Sequence, residues 1–253
     1  MRIPRIFIPR SDWAGLATAY VQGKDAAHLT RVLRLDPGAE VLVLDEDGKL
    51  YRSRIASAAF GAVRLEIFEQ VEGQGEPPLK VTLVQGLARG DKMDLVIQKA
   101  TELGVSRIVP LVSERAVVRL EGTRIEKRVA RWQKIAVEAA EQCGRLRVPV
   151  VEQPLDLAAS LKLAEPGDTV LFLWEGEKER RLRDILRQHH PAGEVFGEVF
   201  LFVGPEGGFS AGEARMAADA GAFCVTLGPR VLRTETAGLI AAALVLYELG
   251  DLG

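Results

Sequence analysis

The sequence is short of the residues that most often announce a chemistry. Two cysteines occur in 253 residues, Cys143 and Cys224, in no metal or redox spacing. That excludes a disulfide framework and points to a reducing cytoplasm. The three histidines form no metal-ligand cluster and no Ser/His/Asp arrangement, so metal-assisted and triad hydrolysis have no support. His189-His190 precede Pro191 and read as capping groups at a helix C-terminus. No apolar run approaches the roughly 20 residues that span a bilayer, and the opening Met-Arg-Ile-Pro-Arg lacks the apolar stretch of a secretory signal. Internal repeats and low-complexity tracts are absent as well. What remains, 47% apolar and 27% charged residues, is the composition of an ordinary globular protein with ample material for a core.

Net charge is also nearly absent, at −2, but the charges are unevenly spread. Residues 1–34 hold six basic side chains (Arg2, Arg5, Arg10, Lys24, Arg31, Arg34) against Asp12 and Asp25. Residues 80–147 hold fourteen basic against eight acidic, and the last hundred or so residues are acidic. Local basic surface on a near-neutral chain suits a polyanion such as nucleic acid. The bland alternative for any one of these arginines is a solvated helix face.

Two organisational regimes follow each other. Residues 1–71 carry short β-prone runs (Arg5 to Ile8, Val41 to Leu44, Leu50 to Ala56, Val63 to Phe68) between glycine turns, with one helical stretch from Asp25 to Leu35. Glu72-Gly-Gln-Gly-Glu-Pro-Pro78 is a polar linker, which places a domain boundary between residues 72 and 73. Beyond it, apolar strands (Val81 to Leu87, Arg107 to Val112, Thr169 to Leu173, Val199 to Val203, Cys224 to Leu227) alternate with helices near 91–103, 123–142, 179–188, 211–220 and 235–249. Strands that are almost wholly apolar are buried on both faces, so the second part is expected to be α/β with a parallel sheet covered by helices.

Two loops stand out. Gly204-Pro-Glu-Gly-Gly-Phe-Ser210 joins a strand to a helix, the usual position for a ligand against bare backbone amides. It is neither a P-loop nor a Gly-x-Gly-x-x-Gly turn, and Glu206 would repel a pyrophosphate, so a neutral or cationic ligand fits better. Leu227-Gly-Pro-Arg-Val-Leu-Arg-Thr-Glu-Thr-Ala237 combines a sharp bend, two cations around an apolar pair, and Thr234 as a plausible N-cap for the last helix. Asp91 to Gly104 reads as an amphipathic helix with a glycine stop, and Glu138 to Arg145 ends another. By themselves their charges read as surface pairs worth about 0.3–0.5 kcal/mol each. His28, followed by Arg31 and Arg34, is either a phosphate contact or a buried histidine with one satisfied nitrogen.

These segments together resemble the RsmE family, the 16S ribosomal RNA (uracil-N3)-methyltransferases of the SPOUT superfamily. The resemblance rests on Val203 to Ser210 and Leu227 to Ala237. It is joined by His28-Leu-x-x-Val-Leu-Arg34, Gln98 to Gly104 and Glu138-Ala-x-Glu-Gln-x-x-Arg145, and it spans Arg5 to Leu246. Cys143 departs from it, standing where a small hydroxyl residue is expected. The resemblance implies an α/β protein with an N-terminal PUA-like RNA-binding β-barrel over 1–72 and a C-terminal SPOUT domain over 73–253. That second domain would hold a parallel sheet threaded into a deep trefoil knot, and the chain would form a homodimer without a metal. It also implies S-adenosylmethionine as cofactor, with S-adenosylhomocysteine as product. The cofactor would lie against Leu173, Glu175, Val203, Gly204, Pro205, Glu206, Gly207, Leu227, Gly228, Val231, Leu232, Thr234 and Thr236. A sulfonium ligand removes the difficulty posed by Glu206.

On this resemblance the substrate is 16S rRNA or the small ribosomal subunit. Its backbone would meet Arg2, Arg5, Arg10, His28, Arg31, Arg34, Arg89, Lys92, Lys99 and Arg145. Arg233 first, then Arg230, would stabilise negative charge on the uracil, with Glu206, Glu235 or a water taking the N3 proton. Two other readings stay open: a SPOUT methyltransferase acting elsewhere on RNA, such as a ribose 2′-hydroxyl, and a non-catalytic RNA-binding or ribosome-assembly factor.

Overall fold

The computed structural model describes residues 3–59, 61–73, 75–116, 123–190 and 197–252. The chain divides into two compact units, Met1–Glu76 with Ala140–Arg147, and Pro77–Ala139 with Val148–Gly253.

The first unit is a curled five-stranded sheet. Its strands are β1 (Arg5–Phe7), β2 (Thr18–Gln22), β3 (Glu40–Leu44), β4 (Leu50–Ala59) and β5 (Ala62–Val71), in the order β1-β3-β4-β5-β2. Only β1–β3 is parallel. Two register shifts between β4 and β5, at Arg52/Ser53 and Ile55/Ser57, add the local bend that curls such a sheet. The helix expected near Asp25 is α1 (Gly23–Ala27), continued by a π-helical turn over His28–Val32. Ala19, Val21, Leu29, Val41, Val43, Ile55, Val63 and Leu65 fill the core. The Ala140–Arg147 segment is bound in by polar contacts. Phe7 N donates to Glu141 Oε1 at 2.8 Å, and Arg5 donates to the carbonyls of Gly144 and Arg145. Arg145 is 4% exposed, with Nη2 2.8 Å from Glu76 Oε2.

The second unit is a seven-stranded parallel sheet: β6 (Val81–Gly86), β7 (Arg107–Val112), β8 (Val150–Val151), β9 (Leu155–Asp156), β10 (Thr169–Leu173), β11 (Val199–Val203) and β12 (Phe223–Val225). Its order is β12-β10-β11-β6-β7-β8, with β9 also on β7. Alternate residues of one strand enter opposite cores, the period-2 consequence of a strand covered on both faces. Leu201 lies in one cluster with α2 (Lys92–Leu103), α3 (Thr123–Cys143), α5 (Leu182–His189) and α7 (Thr234–Leu249). Phe200 and Phe202 lie in the other, with α4 (Leu157–Leu161) and α6 (Ala211–Asp219). Each such fully buried Phe contributes about 1.5–3 kcal/mol over an exposed one. Gly104 ends α2 at φ 110°, a conformation that costs glycine no Cβ clash. Ser210 and Glu213 form a reciprocal capping box at the start of α6.

Several local expectations change. Thr234 does not cap α7: Arg233 holds the N-cap position without a side-chain bond, and Thr234 is the first helical residue, its hydroxyl turned to Gly204 and Gln85. β2, β8, β9 and α4 had not been expected. β12 covers Phe223–Val225 rather than Cys224 to Leu227, and α5 starts at Leu182. His190 does hold the C-cap of α5, but its ring is buried, with Nε2 3.0 Å from Thr169 Oγ1, and the ring of His189 lies on Phe223.

Candidate active site

A cavity of about 380 Å³ opens where β10, β11 and β12 end, at the C-terminal edge of adjacent parallel strands. That is the expected ligand position in an open α/β sheet, and the size suits a small-molecule site. Three loops wall it: Trp174 to Lys178 after β10, Gly204 to Phe209 after β11, and Thr226 to Arg233 after β12. Glycine is required at close approaches. In the register Val203↔Gln85, Gly86 falls beside Gly204 and Pro205, and a Cβ on Gly86 would stand 2.3 Å from Pro205 N. Gly208 has φ 64° and faces the Glu175 carboxylate, while Gly228 bends the third loop at φ 119°.

Charge of both signs surrounds an apolar interior formed by Leu173, Val203, Leu227, Leu232 and Ala237. Lys92, the first residue of α2, sits with Nζ 2.9 Å from Glu206 Oε1 and 3.3 Å from Glu235 Oε2. A cation at a helix N-terminus opposes the macrodipole, so the two carboxylates are what hold Lys92 there. Its hydrogen bond to Glu206 raises the Lys92 ammonium above its ordinary range, against partial desolvation. Burial pushes the Glu206 carboxyl up, but Lys92 and the Arg89 amide, which donates to Oε1 at 3.0 Å, outweigh it, and the net shift is downward. Glu206 is therefore held ionised. Arg230 and Arg233 are exposed on the lining, Arg233 with 82% of its side chain open to solvent. The second loop is braced from outside by Arg115, which donates to Gly207 O at 3.2 Å, and by Ser210, whose hydroxyl donates to Glu114 Oε2 at 2.6 Å.

The residues anticipated from sequence gather here to a large extent. Arg233, Arg230 and Glu206 line the cavity, as do Leu173, Glu175, Val203, Gly204, Pro205, Leu227, Gly228, Val231, Leu232 and Thr234. Gly207 and Thr236 do not: Gly207 turns toward Arg115, and Thr236 is exposed on the first turn of α7. Gly208, Phe209 and Pro229 line it within the two glycine loops, and Trp174, Lys178 and Thr226 line it from outside them. The available signal was adjacency to Leu227 for Thr226, and the end of the apolar run Thr169–Leu173 for Trp174 and Lys178. Lys92, anticipated as a backbone contact for RNA, is part of the lining. The other basic residues separate by environment. His28, Arg31 and Arg34 are exposed on or just after the π-helical turn, which removes the buried-histidine alternative for His28. Arg89 is exposed, and Lys99 pairs with Glu102 at 2.8 Å. Arg5 and Arg145 are engaged within the first unit, and Arg10 packs over Trp13 and pairs with Asp45 at 2.9 Å. Arg2 lies outside the described residues. Cys143 is partly buried, its thiol 3.7 Å from the Ala140 carbonyl.

Residues 75–246 match the family model of the RNA methyltransferase domain and residues 21–68 that of the RNA methyltransferase PUA domain, which sets the class. Ribosomal RNA small subunit methyltransferase E of Bacillus subtilis is 32% identical over 231 residues, covering 91% of this chain and 90% of its own; that of Mycobacterium bovis is 34% identical, covering 90% and 86%. The structure of ribosomal RNA small subunit methyltransferase E from Neisseria gonorrhoeae bound to S-adenosyl methionine superposes with TM-score 0.86 at 35% identity, over the whole of both chains. A Legionella pneumophila protein described as a methyltransferase, in complex with SAM, gives 0.88 at 32%, again over both whole chains. The chain belongs to the ribosomal RNA small subunit methyltransferase E family.

Proposed function

We propose that this protein methylates N3 of a uridine in 16S rRNA of the small subunit, with S-adenosylmethionine as donor. The observation that carries the reading is the cavity at the sheet edge. Its apolar interior suits an adenosine, and the carboxylates and cations of its lining suit a zwitterionic amino acid bearing a sulfonium. When bound, the cofactor supplies a methyl group on a good leaving group. The residues that would hold it are the linings of the three loops, with Glu175, Glu206 and Lys178 facing its charged parts. Arg233, then Arg230, would sit against a uracil carbonyl and stabilise the charge left when N3 loses its proton. Glu206 is ionised and hydrogen-bonded, and with Glu235 it stays a proton-acceptor candidate beside water.

The exposed His28, Arg31 and Arg34, with Arg89, would hold the RNA backbone, and the target uridine would be unstacked to enter. The reading includes a barrel-like PUA unit, a trefoil-knotted second unit and a cytoplasmic location. It also includes a homodimer, supported by Ile240, Leu244 and Tyr247, which are exposed at i, i+4 and i+7 along α7. Among the described residues no helix is long and apolar enough to cross a membrane, and no cluster of His, Cys, Asp and Glu could hold a metal. The test is transfer from methyl-labelled S-adenosylmethionine to small subunits and to naked 16S rRNA, followed by nucleoside digestion. N3-methyluridine is the expected product; a ribose-methylated nucleoside, or no label at all, refutes the assignment.

A further inference from the structure

Gln85 places an amide in the middle of the sheet and has no part in the chemistry above. It is the penultimate residue of β6, has 0% exposure, and lies between strands whose side chains are almost wholly apolar. A polar group at such a depth is costly unless its hydrogen bonds are made. Its Nε2 donates to Thr234 Oγ1 at 2.8 Å and to the Gly86 carbonyl at 3.3 Å. The Thr234 hydroxyl gives its own hydrogen to the Gly204 carbonyl at 2.6 Å. A hydroxyl has one hydrogen, so Thr234 can only accept from Gln85, and the amide must present its NH2. Oε1 points instead at α7, where a Cβ on Gly238 would stand 2.7 Å away, and it has no hydrogen-bond partner among the described residues.

The chain Gln85–Thr234–Gly204 thus joins three segments that are distant in sequence: the end of β6, the loop after β11, and the start of α7. Gly204 and Thr234 line the cavity and Gln85 does not. We propose that Gln85 is a positioning residue for the cofactor cavity. Its amide, acting through the shorter bond to Thr234, fixes the separation of the Gly204 loop from the Leu227–Arg233 loop. The proposal rests on the cofactor reading of the cavity, and hydrogen exchange of the ligand-free protein tests it separately from that reading.

The experiment is calorimetric titration of S-adenosylhomocysteine into the full chain and into Gln85→Met, Thr234→Val, the double variant and Thr234→Ser, with thermal unfolding of each. Gln85→Met and Thr234→Val should each weaken binding by roughly tenfold, the scale of one lost buried hydrogen bond. Because the amide acts through the hydroxyl, the double variant should be no weaker than the worse single, and Thr234→Ser should bind within about threefold of the parent. Binding by Gln85→Met within twofold of the parent, or a double variant whose loss is the product of the two singles, overturns the proposal. Hydrogen exchange of the ligand-free protein gives a second readout. Faster exchange in both loops in Gln85→Met, with the β7 amides unchanged, supports the positioning role, and unchanged loops refute it. A parent chain that binds no S-adenosylhomocysteine overturns the cofactor reading instead, and the exchange result then decides whether Gln85 holds the loops together.

Discussion

Replacing Gly86 with alanine should damage the site through backbone alone. The new methyl group would stand 2.3 Å from Pro205 N, 2.6 Å from Gly204 C and 2.7 Å from Pro205 Cδ. Ordinary contact begins at 3.4 Å, so the two segments must part by about 1.1 Å, the difference between 3.4 and 2.3 Å. None of the three atoms belongs to a side chain that can swing away, and β6 is held on both sides, by β11 and β7. Overpacking of this kind costs about 1–3 kcal/mol. At roughly 2–4 °C per kcal/mol for a chain of this size, the melting temperature should fall by about 2–12 °C. The larger effect should be functional, because the displaced atoms are a wall of the cavity. A misplacement near 1 Å can cost about 100-fold in rate. Gly212→Ala is the control: its Cβ would meet only Ser210 Oγ at 3.6 Å, on an exposed helical turn, and should be neutral or stabilising by up to about 1 kcal/mol. The assays are differential scanning calorimetry and kcat/KM with rRNA. A Gly86→Ala protein with parental melting temperature and turnover would refute the close-approach argument.

Arg233→Ala should lower methyl transfer by about 100-fold or more while S-adenosylhomocysteine affinity and melting temperature stay near parental, because the side chain is almost fully solvated and its N-cap role is carried by its backbone; near-normal turnover would remove Arg233 from the chemistry. Lys92→Met should let the Glu206 carboxyl rise, as followed by carbon-detected NMR. Glu206 is depressed below its ordinary 4.5, so the stability it gains from Lys92 is present above that value and is lost as pH falls through the lower folded one; the lysine, raised above 10.5, loses its share only as pH climbs past that value. Parent and variant should therefore differ in stability near neutral pH and converge in acid; a gap that stays constant down to pH 2 would contradict the pairing. Arg145→Met should destabilise the protein by about 3 kcal/mol, by leaving Glu76 without its buried partner, with little change in the salt dependence of RNA binding. A weakened salt slope with unchanged melting temperature would return Arg145 to the RNA surface.

Legibility followed the range of the physics involved. Arg107–Val112, Thr169–Leu173 and Val199–Val203 were readable to the residue, because a strand buried on both faces writes itself as an unbroken apolar run. β2 was not readable: Thr-Ala-Tyr-Val-Gln owes its strand state to antiparallel pairing with β5, some forty residues on. The five residues of α4 are too few to show a period. In the site, the glycine loops were visible from composition and spacing, and most of the cavity lining followed from them. Thr234 was misread because a hydroxyl ahead of an apolar run is the usual sign of a cap, and its actual partners, Gln85 and Gly204, lie 149 and 30 residues away. Charge counting could not show that Arg145 is buried on Glu76 or that Lys92 lines the cavity, for a related reason. A basic side chain has the same letter whether it faces solvent, Glu76 or the carboxylates of Glu206 and Glu235.

The segment Ala140–Arg147 belongs with Met1–Glu76, although the 63 residues Pro77–Ala139 separate them in the chain. The first unit is therefore not finished when its last strand has been synthesised. Arg5 and Phe7 wait for the carbonyls of Gly144 and Arg145 and the carboxylate of Glu141, and Glu76 waits for Arg145. Translation at about 5–20 residues per second puts roughly 4 to 14 s between the emergence of Glu76 and that of Arg147. During that interval all five strands of the N-terminal sheet have emerged, but the segment that Arg5, Phe7 and Glu76 hold has not. A gene cut after codon 76 would release a sheet without these partners, and the N-terminal unit should be more stable when the 140–147 octapeptide is supplied beside it.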